Sequence, residues 1–518
     1  MQPYVTINTM ANVKLSFPEY GITSEAGKGT NLLDVIRMNE LPIEAPCGGR
    51  GTCGKCKVRV NGLELQACKT TVEEDAEIYI LSAAADQNIL TESAASRDGG
   101  DREPDSGRLA FAIDIGTTTV VVKAIDTSSG RELGIRAFTN PQRPYGADVL
   151  SRINISMDDA SLLSDIITEA LDQAIAGILQ DAKISKENVE KVVIAGNTTM
   201  SYILLNLRCR SLGLAPFAAE YEIEPSYPYQ RIFEQDTLAC PVLVYPFISS
   251  FVGGDIVAGL VHIGTHWEVL ETSSFLLVDM GTNGEIAYRH LGRMITTSTA
   301  AGPALEGGNI TCGMSGTEGA IYAADYMEDT GTFVFKTIGQ SPARGICGSG
   351  VIDLVAKLLA AGLIEPTGAF SDKGLAAAID YVPDAPDART MKAFLISEET
   401  KDSPRIVFTQ KDVREFQLAK GAIRAGIDIL ISEMGELPQT FYLAGGFGQN
   451  IDLESAFAVG LIPDTLRGRI RFAGNTSLGG CIDTCLRKAG MGVFDDAEEI
   501  NLGAHKDFNN IFMDTMMF

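Results

Sequence analysis

Four cysteines near the amino terminus lie so close together in the sequence that they suit metal binding better than packing in a hydrophobic core. They are Cys47, Cys53, Cys56 and Cys68, in the pattern C-x5-C-x2-C-x11-C. Four thiolates can hold either zinc or an iron-sulfur cluster. Structural zinc sites more often use two short C-x2-C pairs, whereas three of these candidate ligands share one loop, APCGGRGTCGKC.

Glycines stand between these thiols, at positions 48, 49, 51 and 54. They let the loop wrap closely and turn backbone N–H groups towards sulfur, which stabilises an electron-rich reduced cluster. The pattern therefore favours a [2Fe-2S] cluster, with zinc or a C-x2-C redox dithiol as the alternatives.

The residues around the loop predict a small domain. VKLSF is typical of a strand, TNLLDVIRMNEL of a helix, and KCKVRVNGLELQAC of a hairpin with an Asn-Gly turn. Over residues 11 to 82 the chain resembles plant-type and adrenodoxin-type ferredoxins, which have the β-grasp fold. The x5 gap is similar to the adrenodoxin branch, and the x11 gap resembles fused electron-transfer domains.

Two strand-turn-strand segments form the second set of chemically suited residues. DIGTTT, Asp114 to Thr119, and DMGTNGE, Asp279 to Glu285, each offer a carboxylate, a glycine and polar side chains after an apolar strand. Such a turn can direct N–H and O–H donors at phosphate oxygens while its aspartate faces hydrated Mg2+. One copy alone is more often an ordinary hairpin, so the prediction of ATP binding depends on there being two, together with the glycine turn LAGGFG.

The repeat extends beyond these turns. RLAFAIDIGTTTVVVKAID and SFLLVDMGTNGEIAYRH open two similar units, which end in KVVIAGNTTM and TFYLAGGFGQN. Two such copies predict paired lobes around a cleft. They resemble the superfamily of acetate and sugar kinases, Hsp70 and actin (ASKHA), whose members bind ATP between duplicated RNase H-like lobes.

That resemblance implies roles for individual residues. The first phosphate loop would consist of Asp114, Gly116, Thr117 and Thr118, and the second of Asp279, Gly281, Thr282 and Asn283. The adenosine motif would be Gly445 with Gly446.

The predicted fold class is multidomain, α+β followed by α/β. A β-grasp [2Fe-2S] ferredoxin domain at 1–92 precedes a polar linker at 93–107, SAASRDGGDREPDSG, and the duplicated RNase H-like ATPase fold follows. We expect its lobe I at 108–270 and its lobe II at 271–518.

Further strings narrow the family: NPQRPYGADVLSRI, IAGNTTM, AGPALEGGNITCGMSGTEGAI and RGICGSGVIDLVAKLLAAGLI. Joined to a ferredoxin domain, they resemble the reductive activators of corrinoid proteins in methyltransferase systems. The resemblance implies ATP-dependent transfer of one electron to an inactive Co(II) corrinoid on a partner protein, which regenerates Co(I), and an upstream low-potential electron donor. The alternatives are a small-molecule kinase with a redox-sensing ferredoxin domain and a simple electron-carrier subunit.

Composition limits the partners. The net charge of −25 argues against nucleic acid and anionic membranes, and no apolar run approaches the ~20 residues of a membrane helix. The start of the chain lacks the features of a signal peptide, so we expect a cytoplasmic protein. A homodimer is compatible with the sequence.

The remaining reactive residues have simpler interpretations. The other six cysteines lie in apolar or glycine-rich settings and are predicted to be core residues. For Cys312 and Cys347, which lie in the family-like strings TCGM and ICGSG, a role near the cleft is the alternative. His262 and His266 form an i, i+4 pair without a third partner in the sequence, so no zinc site is expected there. The tail NNIFMDTMMF is predicted to be a docked terminus.

Overall fold

The computed structural model describes residues 12–39, 41, 43, 45, 49, 51, 55–81, 107–146, 148–159, 161–233, 237–267, 273–281, 283–383, 389–445, 451–491, 494 and 496–518.

The amino-terminal part is a five-stranded mixed sheet with one helix. Its elements are β1 (Asn12–Phe17), β2 (Ile22–Gly27), α1 (Leu32–Met38), β3 (Lys57–Val60), β4 (Leu63–Gln66) and β5 (Ala76–Ile80). The strand order is β2-β1-β5-β3-β4, with β1 and β5 parallel. The predicted β-grasp fold is confirmed.

Local sequence explains these elements. Asn31 caps α1 by accepting a hydrogen bond from the backbone N–H of Leu33, and four of the seven helix residues are buried. The β3–β4 hairpin turns at Asn61 and Gly62, whose positive φ angles of 47° and 87° suit the Asn-Gly pair.

Lobe I is a six-stranded sheet with helices on both faces. Its elements are β6 (Leu109–Ile115), β7 (Thr119–Asp126), β8 (Glu132–Thr139), α2 (Val149–Asp158), α3 (Leu162–Ala182), β9 (Val189–Gly196), α4 (Thr198–Leu204), α5 (Arg210–Gly213), β10 (Ser226–Pro228), α6 (Tyr229–Ile232), β11 (Pro241–Val244) and α7 (Gly254–His266). The order is β10-β11-β9-β6-β7-β8.

Lobe II contains a second six-stranded sheet and two three-stranded insertions. Its elements are β12 (Phe275–Met280), β13 (Gly284–His290), β14 (Arg293–Thr299), β15 (Ala320–Met327), β16 (Thr332–Thr337), β17 (Gly345–Ile346), α8 (Gly348–Ala360), α9 (Asp372–Ala377), β18 (Ile379–Tyr381), β19 (Met391–Ser397), β20 (Ile406–Thr409), α10 (Gln410–Met434), β21 (Thr440–Ala444), α11 (Leu453–Ala458), β22 (Ile470–Gly474), α12 (Thr476–Cys485), β23 (Glu498–Glu499) and α13 (Phe508–Met516). The main sheet has the order β22-β21-β12-β13-β14-β23.

The two main sheets repeat one plan. In each, three strands form an antiparallel meander, β6-β7-β8 or β12-β13-β14, and a later strand, β9 or β21, pairs in parallel with the first strand of the meander. The predicted duplication is therefore confirmed.

Helices α7 and α12 lie at the centre of the molecule. Val257 on α7 and Cys481 on α12 pack against the sheet of lobe I, while Ile256 and Leu260 on α7 pack with the sheet of lobe II. The backbones approach closely, because a Cβ added to Gly480 would lie 2.1 Å from the carbonyl oxygen of Ala258. The helix pair therefore joins the two lobes.

The tail and the remaining cysteines agree with their simpler interpretations. Helix α13 packs on α10. Cys209, Cys240, Cys347, Cys481 and Cys485 are buried, and Cys312 is partly buried. Among the described residues, no helix has both the length and the apolar character needed to cross a bilayer.

Candidate functional site

The two predicted phosphate loops face one cavity. Each closes in the same way, since the N–H of Gly116 donates to the Thr119 carbonyl and that of Gly281 to the Asn283 carbonyl, both at 2.9 Å. Between them lies an open cavity of about 320 Å3. Duplicated turns on facing lobes thus form a single site.

Most residues proposed from the sequence line this cavity. They are Asp114, Gly116, Thr117, Thr118, Asp279, Gly281, Asn283 and Gly445. Thr282 and Gly446 lie outside the described residues.

Gly445 lies close to the second loop. Its φ of 89° is in the left-handed region, and a Cβ there would lie 2.5 Å from Oδ1 of Asp279. Glycine is needed on both counts, because a side chain would be strained and would push the carboxylate away.

Asp114 is held by residues far away in the sequence. Its Oδ2 accepts a hydrogen bond from Nδ2 of Asn475 at 2.8 Å, and its Oδ1 accepts one from the hydroxyl of Ser477 at 2.7 Å. Both donors lie at the amino end of α12, so this carboxylate ties lobe I to the central helix pair.

Five carboxyl groups converge at the cavity, those of Asp114, Asp255, Asp279, Glu285 and Glu306. Burial raises the pKa of Asp114, Asp255 and Glu285, and hydrogen bonds from Ser477 and Asn475 oppose the effect at Asp114. Burial, followed by the charges of Asp255, Asp114 and Glu306, raises the pKa of Asp279 to about 7. Such a cluster repels itself when ionised, and a cation among these oxygens would relieve that repulsion.

The first phosphate loop rests on a buried arginine. The guanidinium of Arg152 donates to the carbonyls of Thr117 and Gly146 and, at 3.0 Å, to Oε1 of Gln142. Burial lowers its pKa to about 9. The family-like string NPQRPYGADVLSRI thus supports the loop from behind.

A further hydrogen bond joins the two lobes across the cavity. The Thr118 hydroxyl donates to Oε2 of Glu306 at 3.3 Å. Thr118 belongs to lobe I and Glu306 to lobe II, so this hydrogen bond spans the two lobes.

Several cavity residues were not assigned roles from the sequence. They are Asn197, Asp255, Glu306, Ser315, Thr317, Ser349, Asn475 and Ser477. Cys347, for which a role near the cleft was the alternative, also lines the cavity. Some of these residues lie in the sequence strings that were used above only to narrow the family. Those strings could have been used to predict that these residues line the site. No motif in the sequence marked Asp255, Asn475 and Ser477. They lie at the amino ends of helices, and the sequence of a helix start does not show whether it faces a binding site.

Two of the four proposed cluster ligands are described. The Sγ atoms of Cys56 and Cys68 are 3.3 Å apart and form no disulfide. Two thiols this close to each other fit ligands of one metal centre. Cys47 and Cys53 lie outside the described residues.

The ferredoxin-like domain contacts lobe I. Nη2 of Arg37 donates to the Pro144 carbonyl, and the guanidinium lies 4.9 Å from the ring centre of Tyr145 in lobe I. Burial raises the pKa of Cys312 in lobe II, and the charge of Lys55, next to the proposed ligand Cys56, opposes this effect. The cluster end of this domain therefore lies close to the ATPase-like part of the chain.

Three family profiles match the chain in succession. Residues 18–88 match the 2Fe-2S iron-sulfur cluster binding domain, 109–268 the RACo middle region, and 273–518 the C-terminal domain of RACo, the ASKHA domain. The chain belongs to the reductive activators of corrinoid proteins.

Similar proteins agree with this family. The corrinoid activation enzyme RamQ of Eubacterium limosum is 29% identical over 600 aligned positions, with 98% of each chain covered. The [Co(II) methylated amine-specific corrinoid protein] reductase of Methanosarcina barkeri is 26% identical, with 78% of this chain and 76% of that protein covered. The solved structure of a reductive activator for corrinoid, iron-sulfur protein has a TM-score of 0.68 at 26% identity, with 98% of both chains covered.

Proposed function

We propose that this activator is an ATP-dependent reductive activase. It transfers one electron from its iron-sulfur cluster to the inactive Co(II) corrinoid of a partner protein of a methyltransferase system, and so regenerates Co(I). The observation that carries the proposal is the coexistence, in one chain, of a 2Fe-2S cluster binding domain and a duplicated cleft in which two phosphate-type turns meet. Relatives along nearly the whole length are named for corrinoid activation.

The electron is held in the amino-terminal domain. Cys47, Cys53, Cys56 and Cys68 are the proposed ligands, supported by the adjacent thiols of Cys56 and Cys68. The cluster supplies one-electron storage when bound. An upstream low-potential donor reloads it.

The cleft is proposed to bind ATP with Mg2+. The backbone N–H groups and hydroxyls of Gly116 to Thr118, and the matching loop that begins at Asp279, would contact phosphate oxygens. The fit of Mg2+ is supported by the convergent carboxyls of Asp114, Asp255 and Asp279, whose pKa values are raised by burial, because a divalent cation would favour their ionised forms. The cation supplies charge neutralisation at the phosphates.

Nucleotide binding would act on the position of the lobes. Thr118 and Glu306 join lobe I and lobe II across the cavity, and ATP between the loops would replace or tighten that contact. An electron step uphill by roughly 200 mV would cost about 5 kcal/mol, which ATP-driven closure of the lobes can supply.

The cytoplasmic location and a homodimer stay predictions.

The direct test is reduction of a partner corrinoid protein loaded with cob(II)alamin, followed by its absorbance. The holoprotein with reductant should convert Co(II) to Co(I) when ATP is present and much more slowly without it. Equal rates in the two arms would contradict the coupling.

Matched variants assign the sites. Asp279→Ala should abolish the ATP-dependent rate, while Asp380→Ala, at an exposed aspartate paired with Lys392, should retain it. Cys56→Ser should remove the cluster absorbance and the activity, whereas Cys209→Ser, at a buried thiol of lobe I, should keep both. Full activity in Asp279→Ala would overturn the site assignment. ATP turnover stimulated by a small sugar or carboxylate, without corrinoid reduction, would favour the kinase alternative.

A further inference from the structure

A second cluster of potential ligands lies away from the cavity, between the central helices. Nδ1 of His262 is 2.6 Å from Oδ2 of Asp483, and Nε2 of His266 is 2.7 Å from Oδ1 of the same carboxylate. His262 and His266 lie one turn apart on α7, and Asp483 comes from α12. The expectation that this histidine pair has no third partner is wrong, because the third partner lies more than 200 residues further along the chain.

We propose that His262, His266 and Asp483 form a binding site for Zn2+. This inference rests on the geometry of the helix pair and is independent of the proposed function.

The donor set suits this ion. One ligand atom from each side chain lies within 4.8 Å of the others. Two imidazole nitrogens and one carboxylate oxygen form a common zinc ligand set, completed by water in the fourth position. Ligands at zinc distances of about 2.0–2.1 Å would be about 3.3 Å apart, so the side chains need to move by only about 1 Å.

The electrostatic setting also favours a cation. Asp483 is 1% exposed, and its ion pairs among the described residues are with the two imidazoles rather than with lysine or arginine. A buried carboxylate requires compensating charge, and a divalent ion held between the carboxylate and the two imidazoles supplies it.

Packing holds the ligands in position. His262 is 2% exposed, and a Cβ on Gly479 would lie 2.7 Å from three atoms of its ring. The ring of Trp267 packs edge-on against His262, with the centroids 5.5 Å apart. Glycine at 479 therefore lets the imidazole lie directly on α12.

Access for the ion is through His266. Its side chain is 23% exposed, whereas the other two ligands are buried. Zinc and its completing water can approach from this side without unfolding of the helices.

The location suggests a structural role. Helix α7 starts beside Asp255 and α12 starts beside Ser477, both in the cavity wall, while the three ligands lie further along the same two helices. A bound ion would fix α7 to α12 at a distance from the cavity. It would therefore restrain the helix pair that joins the lobes without touching the reacting atoms.

The test uses the full-length holoprotein. After dialysis against micromolar Zn2+, elemental analysis should give one zinc per chain with the iron content unchanged, and zinc should raise the thermal midpoint. His266→Gln should weaken zinc binding at least tenfold and abolish the thermal shift. His505→Gln, at a histidine near Glu433 on another surface, should behave like the wild type.

The substitution at His266 keeps the result interpretable. Glutamine can still donate a hydrogen bond to Asp483 from a partly exposed position, so the fold should be retained, and circular dichroism together with the cluster absorbance checks this. The proposal is overturned if the wild type takes up no zinc, if zinc only replaces iron, or if His266→Gln binds zinc as tightly as the wild type.

Discussion

The guanidinium of Arg37 lies 4.9 Å from the ring centre of Tyr145 and donates a hydrogen bond to the carbonyl of Pro144. This joins the ferredoxin-like domain to the segment that follows β8. The same segment supplies Gln142 and Gly146 to the buried guanidinium of Arg152, which in turn holds the carbonyl of Thr117. A continuous set of contacts thus runs from the cluster domain to the first phosphate loop.

Arg37→Ala should release the ferredoxin-like domain from lobe I. The change removes a cation–π contact and a hydrogen bond made by a side chain that is only 9% exposed. The radius of gyration from small-angle scattering should increase, and the cluster should reduce a bulky protein acceptor severalfold faster without nucleotide. Arg59→Ala is the matched control, because Arg59 pairs with Glu64 inside its own domain. Identical scattering for Arg37→Ala and the wild type would argue against this contact in solution.

Arg152→Met should weaken ATP binding and lower stability together. The substitution leaves the carbonyls of Thr117 and Gly146 without their buried donor, at a cost of about 1–3 kcal/mol for each unsatisfied group. Denaturant unfolding and titration with an ATP analogue measure the two effects, with about a tenfold loss of affinity expected. Arg136→Met, at an exposed arginine paired with Asp181, should change neither. Normal ATP affinity in Arg152→Met would show that the loop keeps its shape without this support.

Local patterns were sufficient for much of the fold. The Asn61–Gly62 turn follows from residue type alone, and the two lobes follow from the repeated strand-turn-strand segments at 108–126 and 274–290 together with the later strands that end in Ala-Gly. These features depend mainly on residues that are close together in the chain, so a short stretch of sequence is enough to predict them.

Long-range partners could not be predicted in the same way. Asn475 and Ser477 are more than 360 residues from Asp114, and Asp483 is more than 200 residues from His262. Each looks like an ordinary helix residue until the packing of α12 against α7 brings it to its partner. The chemistry of these positions is therefore set by helix crossing rather than by motif spacing.

Asp279→Asn should stabilise the nucleotide-free protein and abolish its activity. Burial and the neighbouring Asp255 and Asp114 raise the pKa of Asp279 from the usual 3.8 to about 7. The contribution of this carboxyl to the stability of the fold is fully present below its pKa in the unfolded chain, and it is lost as the pH rises through about 7. At pH 8 the ionised carboxylate is therefore destabilising. The neutral amide removes that repulsion.

The measurement compares thermal midpoints at pH 8 without nucleotide or added divalent ions. Asp279→Asn should unfold a few degrees higher than the wild type and lose about 100-fold or more in ATP-dependent reduction. Asp325→Asn, at a surface carboxylate near Lys357, controls for a general charge effect. A lower midpoint for Asp279→Asn would contradict the electrostatic origin of the instability.

Lys420 should make stability depend on alkaline pH. Its side chain is buried, its Nζ donates to the Met517 carbonyl, and it lies 5.0 Å from the ring centre of Phe518. Burial, helped by the charge of Arg424, lowers its pKa from the usual 10.5 to about 7. Between these values the unfolded chain holds a proton that the folded protein has released, so this residue makes stability rise with pH from about 7 to 10.5.

A difference measurement isolates this effect, because other buried groups act in the opposite direction. Burial raises the pKa of the Cys485 thiol to about 12, so its contribution to stability falls as the pH rises above the range of an unfolded thiol. Thermal midpoints of the wild type and Lys420→Met should therefore be compared from pH 7 to pH 10. The wild type should gain relative to the variant across that interval, whereas Lys373→Met, at an exposed lysine paired with Glu328, should run parallel to the wild type. Parallel curves for the wild type and Lys420→Met would mean that Lys420 keeps its ordinary pKa beneath the docked tail.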